Sequence, residues 1–226
     1  MFNIKLIKLK TFINFYYFFE VMAIQNLSAL FSFQELVDVI IMSLAFGFIF
    51  KDFIKSPKQL NYYDVNLDIP TSNKFKRFNW TDFWYASMIV TPAVFFHEMG
   101  HKFTAMLLGY NAVFHAPYTW LAIAIILKIL HSPFIFLVGG YVSMQANITN
   151  TARMLISFAG PFVNLIFWIG SMLLLKNKNF VKKYSKHIHS LAIFKKLNMF
   201  LFIFNMIPIP GFDGFSFFSA LFRIIF

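Results

Sequence analysis

From residue 83 to residue 226 the chain carries only two carboxylate side chains, Glu98 and Asp213, and both lie in apolar surroundings. An ionisable group at membrane depth costs roughly 3 kcal/mol or more, so each survivor is a functional candidate by default. Apolar runs fill most of the rest. Of the 226 residues, 59% are hydrophobic and 13% charged, against about 25% charged in a soluble domain. Mean hydropathy is +0.66, and 34 residues are Phe. This is the composition of a membrane-embedded chain.

The fold class expected is an all-α polytopic membrane protein, a bundle of about five to six transmembrane or re-entrant segments with a small β element near the active site. Apolar segments are expected at 31–50, 83–109, 117–144, 154–175 and 197–222. Glu35 and Asp38 fall near the start of the first, towards the interface. The third is interrupted by Lys128, His131, Pro133 and the pair Gly139-Gly140, and the last is broken by Pro208, Pro210, Gly211 and Gly214. Residues 51–82 read as a polar loop with a surface strand. The basic loops 51–82 and 176–190 can both be cytoplasmic only if 117–144 fails to cross, which favours a re-entrant element there. Residues 1–30 form an interfacial extension, with Met22 as an alternative start. Residues 31–226 form one membrane-embedded domain.

The net charge of +11 resides in short clusters between apolar segments. That is the pattern of loops meeting anionic lipid, and no nucleic-acid partner is expected. Cysteine is absent, so a metal would have to be held by His, Asp or Glu.

His97, Glu98 and His101 form HExxH within a predicted helix. Positions i and i+4 share one helical face, so both imidazoles can reach one ion. Catalytic zinc takes three protein ligands plus water. Glu98 follows the first ligand and can take the proton of that water, whose pKa the metal lowers from about 15.7 towards 7. A satisfied pair of core histidines is the plainer alternative, but an unpaired Glu in an apolar helix is expensive. Asp213 is the acid available as third ligand; a simple turn between two short helices is its bland explanation. His187 and His189 fall in a basic loop, and His115 and His131 flank or interrupt the third segment, so solvated and interfacial positions are expected for them.

Three stretches in order carry a resemblance: residues 95–102, the run Ala159-Gly160-Pro161-Phe162-Val163-Asn164, and residues 205–214 from Asn205 to Asp213-Gly214. They are similar to the motifs of the site-2 protease family of intramembrane zinc metalloproteases, most like its compact archaeal and bacterial members. Gly139-Gly140-Tyr141-Val142 resembles a family loop more weakly. The resemblance covers residues 83–220.

It implies one catalytic Zn2+ held by His97, His101 and Asp213, and Glu98 as the catalytic glutamate. It also implies Asn205 and Asn164 as substrate-binding residues, although helix–helix hydrogen bonding is an equal alternative for Asn164. The partners implied are single-span membrane protein substrates and the lipid bilayer, and the location is the cell membrane, multi-pass. A substrate helix would unwind and pair with a strand near 139–144. The chain ends soon after Asp213, as a minimal member or one missing its C-terminus would. Other membrane HExxH peptidases use a later Glu as ligand, and no Glu follows Glu98. A metal transporter would spread its ligands over more spans. A catalytically inactive metal-binding scaffold, a pseudoprotease, is the remaining alternative.

Overall fold

The computed structural model describes residues 31–57, 78–132, 139–144 and 147–226. The expected extension 1–30 and most of the loop 51–82 lie outside them. The chain forms two compact units, residues 1–37 and 38–226. In the first, Ser32 and Glu35 make a reciprocal capping box. The Ser32 N–H donates to Glu35 Oε2 at 2.8 Å and the Glu35 N–H to Ser32 Oγ at 3.2 Å, which starts helix α1 (Phe33–Phe50).

The second unit continues α1 and then runs α2 (Trp80–Leu107), β1 (Ala112–His115), α3 (Tyr118–Ile129), β2 (Tyr141–Met144), α4 (Asn150–Lys176), α5 (Lys178–Lys183), α6 (Ile188–Asn205) and α7 (Asp213–Ile225). Local chemistry sets the ends. Asn79 caps α2 by accepting from the N–H groups of Thr81 and Asp82 at 3.1 and 3.2 Å, and Gly109, at φ +84°, follows its end. Thr149 caps α4 through the Ala152 N–H at 3.2 Å. Asn177 caps α5 through the N–H groups of Asn179 and Phe180. The segment expected as a basic loop, 176–190, is therefore largely helical.

Helix α4 is the hub, and α2, α6 and α7 all pack against it. Small residues allow the approach: Ala105, Ala112, Ala152 and Ile156 form one buried cluster where the end of α2, β1 and the start of α4 meet. Strands β1 and β2 pair antiparallel, with Ala112 opposite Met144 and His115 opposite Tyr141. Helix α3 has 12 residues, a rise of about 18 Å against about 30 Å of hydrocarbon. It is too short to cross. Among the described residues, α1 and α4 are long and apolar enough to do so.

Helix α2 buries Asp82, Ser87, His97, Glu98, His101 and Lys102 among apolar neighbours such as Phe83, Val90 and Met99, while Trp84, Met88, Phe96, Phe103 and Leu107 are exposed. A soluble helix normally turns such large apolar side chains inward.

Asp38 is buried, 1% exposed. Its carboxylate accepts from the Ala116 N–H at 3.1 Å and from the Tyr118 hydroxyl, which fixes the join between β1 and α3 to α1. These partners lie about eighty residues away, so nothing local in the sequence announces them. Asp52, in the turn after α1, accepts from Lys128 of α3 at 2.6 Å. Burial works against its charge, but the Lys128 hydrogen bond and the charges of Lys128, Lys51 and Lys55 outweigh it and hold the carboxyl below its usual range.

Two outcomes follow. Asp38→Ala leaves two donors without this acceptor and should cost about 2–4 kcal/mol of stability in detergent unfolding; a change within about 0.5 kcal/mol would contradict the assignment. A depressed carboxyl contributes stability that is full above its unfolded pKa and lost as pH falls through the lower folded value. Acid titration should therefore loosen the α1–α3 tie only below the ordinary carboxylate range, and Asp52→Asn should remove that acid step.

Candidate metal centre

Helix α2 presents His97 and His101 one turn apart, both buried. Their ring protons are placed by a chain of forced hydrogen bonds. The Phe194 carbonyl can only accept, so Asn198 Nδ2 donates to it at 2.8 Å. Asn198 Oδ1 is then free to accept from Asn164 Nδ2 at 2.9 Å, and the same Nδ2 donates to the Ala93 carbonyl at 3.1 Å. This leaves Asn164 Oδ1 facing His97 Nδ1 at 2.6 Å, so that ring nitrogen carries the proton. The Ile156 carbonyl fixes His101 the same way, accepting from Nδ1 at 2.7 Å. In the neutral rings both Nε2 atoms then present lone pairs.

Those two atoms stand 3.2 Å apart. Asp213 Oδ2 lies 3.1 Å from His97 Nε2 and 3.3 Å from His101 Nε2. With both rings neutral no hydrogen lies between any pair, whereas an imidazolium would place one there. A triangle of three lone pairs at this spacing repels itself unless a positive charge sits among them. Its edges match the ligand–ligand separation around a tetrahedral ion with bonds of about 2.0–2.1 Å, which is roughly 3.3 Å. Two neutral imidazoles and one carboxylate, with a fourth position left over, are a zinc donor set of the catalytic kind.

Backbone geometry aims Asp213. Helix α6 ends at Asn205, and the turn through Pro208, Pro210 and Gly211 (φ +99°) restarts the chain as α7 at Asp213 itself. Gly214 lies so close to the Met206 and Ile207 carbonyls that a Cβ there would overlap them. Across the site, a Cβ on Gly160 would overlap the His101 ring, and one on Gly100 would come within 2.7 Å of the Ala159 carbonyl oxygen. The AGP run is thus the seat of the second histidine, and Gly100 lets α2 and α4 close on it.

Glu98 is buried beside this triangle. A Cβ on Gly139 would stand 2.8 Å from Glu98 Oε1, so the segment leading into β2 passes directly over the carboxylate.

The structure therefore brings His97, His101 and Asp213 together, with Glu98 next to them on α2. Asn164 does not face a substrate. It is fully buried, and its amide is committed to His97, Ala93 and Asn198; it orients the first histidine. Asn205, the last residue of α6, is partly buried at the mouth of the proline turn. His187 and His189 are exposed, and His131 follows α3 at φ +54°. His115 sits on β1, bonded to Ser143 Oγ at 3.0 Å. Asn198 was not foreseen. An asparagine in the run Leu197 to Phe204, otherwise apolar, is itself the signal.

Comparison with known proteins points to a metallopeptidase. Residues 85–189 match the profile of peptidase family M50; the match takes in both histidines and Asn164 and stops before Asp213. A protein of Methanocaldococcus jannaschii named "Putative zinc metalloprotease" is 26% identical over 185 residues, covering 81% of this chain and 83% of its own length. No solved structure matches the chain.

Outer hydrogen-bond partners of metal-binding histidines are worth about 10–100-fold in affinity. Asn164→Ala should weaken zinc binding by that amount, and Asn198→Ala should weaken it less and in the same direction, as read by competition with a chromophoric chelator. Wild-type affinity in Asn164→Ala would show that the amide does not set the His97 ring.

Proposed function

We propose, from the premise that this chain belongs to a site-2 protease-like family of metallopeptidases, that it hydrolyses peptide bonds of transmembrane helices within the bilayer. The observation that carries the reading is the lone-pair triangle of His97, His101 and Asp213 with Glu98 alongside. The membrane part rests on the exposed apolar face of α2, the polar residues turned inward behind it, and the span-length helices α1 and α4. In this reading the chain crosses the membrane several times, α3 and β2 forming a re-entrant element.

Zinc, when bound, supplies the Lewis acidity that makes water a nucleophile at neutral pH. The protein's own residues do the rest. His97 and His101, each held by its Nδ1 hydrogen bond, keep their Nε2 atoms aimed at one point without reorganising. Glu98 takes the proton of the attacking water and returns it to the leaving amine. The attack forms the new carbon–oxygen bond, and collapse breaks the carbon–nitrogen bond.

A helical peptide bond is covered by its neighbours, so the substrate must unwind first. Its freed backbone pairs with β2, and Gly139, two residues before that strand, runs over Glu98. Without a side chain at Gly139, a bound strand can come within reach of the glutamate. Asn205 stands at the proline turn before Asp213, where its amide can bond the substrate backbone.

The test uses the purified chain and a single-span substrate. Glu98→Gln should keep its zinc and lose at least about 10²-fold in cleavage rate. Asp213→Ala should lose both zinc and activity. Cleavage by Glu98→Gln at the wild-type rate would remove the glutamate from the mechanism; no cleavage by wild-type, zinc-loaded protein of any membrane-helix substrate would favour an inactive metal-binding scaffold.

A further inference from the structure

The far end of α7 lines a cleft that the protease reading does not use. Arg153, in the first turns of α4, and Arg223, near the end of α7, line one cavity of about 240 Å³ together with Ser216, Ser219 and Phe215. A second cavity, of about 400 Å³, is lined by Phe215, Phe218, Phe222 and Pro208 and shares Ser219 and Arg223 with the first. The two run together, one half cationic and hydroxylic, the other phenyl-walled.

Charge decides what fits. Among the described residues neither guanidinium forms an ion pair. The carboxylates from residue 83 onward are Glu98 and Asp213. Asp213 begins α7, about 15 Å along the helix from Arg223, and it faces the histidines. Two guanidiniums around one small cavity repel each other until an anion joins them. A phosphate diester accepts from both and from the serine hydroxyls. The adjoining face offers Phe218 and Phe222, both exposed, as a seat for an acyl chain. A second cation, such as the ammonium of a zwitterionic headgroup, would find no carboxylate there among the described residues.

We propose that this cleft binds one anionic phospholipid, the headgroup phosphate between Arg153 and Arg223 and an acyl chain along Phe215, Phe218 and Phe222. The site rests on the membrane placement argued above but not on protease activity. A lipid held there bridges the start of α4 to the end of α7, the two helices that carry the His101 seat and Asp213.

Native mass spectrometry of the full chain in detergent, offered equal amounts of phosphatidylglycerol and phosphatidylcholine, tests this by retention and not by cleavage. Near a surface each Arg favours anionic lipid several-fold, so wild type should retain phosphatidylglycerol roughly ten- to thirtyfold over phosphatidylcholine. Arg153→Gln with Arg223→Gln should bring the ratio close to one, while Lys195→Gln with Lys196→Gln on α6 should leave it unchanged. Zinc content reports whether the variants are folded. Should the double arginine variant lose zinc, Phe218→Glu, at an exposed position, must abolish the preference instead. Equal retention of the two lipids by wild type, an undiminished preference in the arginine or Phe218→Glu variants, or full displacement by millimolar inorganic phosphate would each overturn the proposal, the last by assigning the cleft to a soluble anion. If the lipid preference holds but no membrane helix is cleaved, the protease reading fails and this site stands.

Discussion

Three lone pairs held 3.1–3.3 Å apart inside an apolar protein are the constraint on which the rest of the structure turns. Such an arrangement is unfavourable unless a cation repays it, so every element around it is built to hold the atoms in place. Helix α2 brings two of them by its own periodicity. The third arrives from a turn more than a hundred residues later. Helix α4 lies between, giving the Ile156 carbonyl to one ring, the Asn164 amide to the other, and the space at Gly160 without which the His101 ring would have no room. The Asn164–Asn198 link extends the same requirement into α6. Each helix packed on α4 contributes to one site, which is why α4 is the hub.

Around this centre polar side chains are buried among apolar ones. His97, Glu98, His101, Lys102, Asn164 and Asn198 lie inside, while many Phe, Trp, Ile and Leu side chains lie on the outside. In water that surface would drive association. In hydrocarbon it is matched to its surroundings, and the interior polar groups survive because hydrogen bonds satisfy them. The two-stranded sheet is short; β1 and β2 pack against α2, and Asp38 locks the chain after β1.

The parts written in the sequence were those with a fixed period or a scarcity behind them. HExxH announces a shared helical face, and Asp213 stood out because so few acids accompany it. Helices α1, α2 and α4 were legible to within a few residues from apolar runs, whereas α6 starts at Ile188, well before the run that begins at residue 197. What stayed hidden depends on contacts between distant residues. The hydrogen bonds of Asp38 depend on Ala116 and Tyr118, which lie beyond α1. Residues 112–115 carry no strand signature and become β1 by pairing with 141–144. The motif left Asn164 between a substrate role and helix–helix hydrogen bonding, and its buried partners Ala93 and Asn198 favour the second, as a support for His97. The basic stretch after α4 looked like a loop because its lysines mask the cap that Asn177 provides.

The central claim concerns which atoms surround the metal. X-ray absorption at the zinc edge of the wild-type protein, purified in detergent, reads that shell directly. The account predicts a four-coordinate site with two imidazole nitrogens and oxygen donors, all at about 2.0–2.2 Å. A shell with fewer than two imidazoles, or a six-coordinate sphere of oxygens alone, would contradict it.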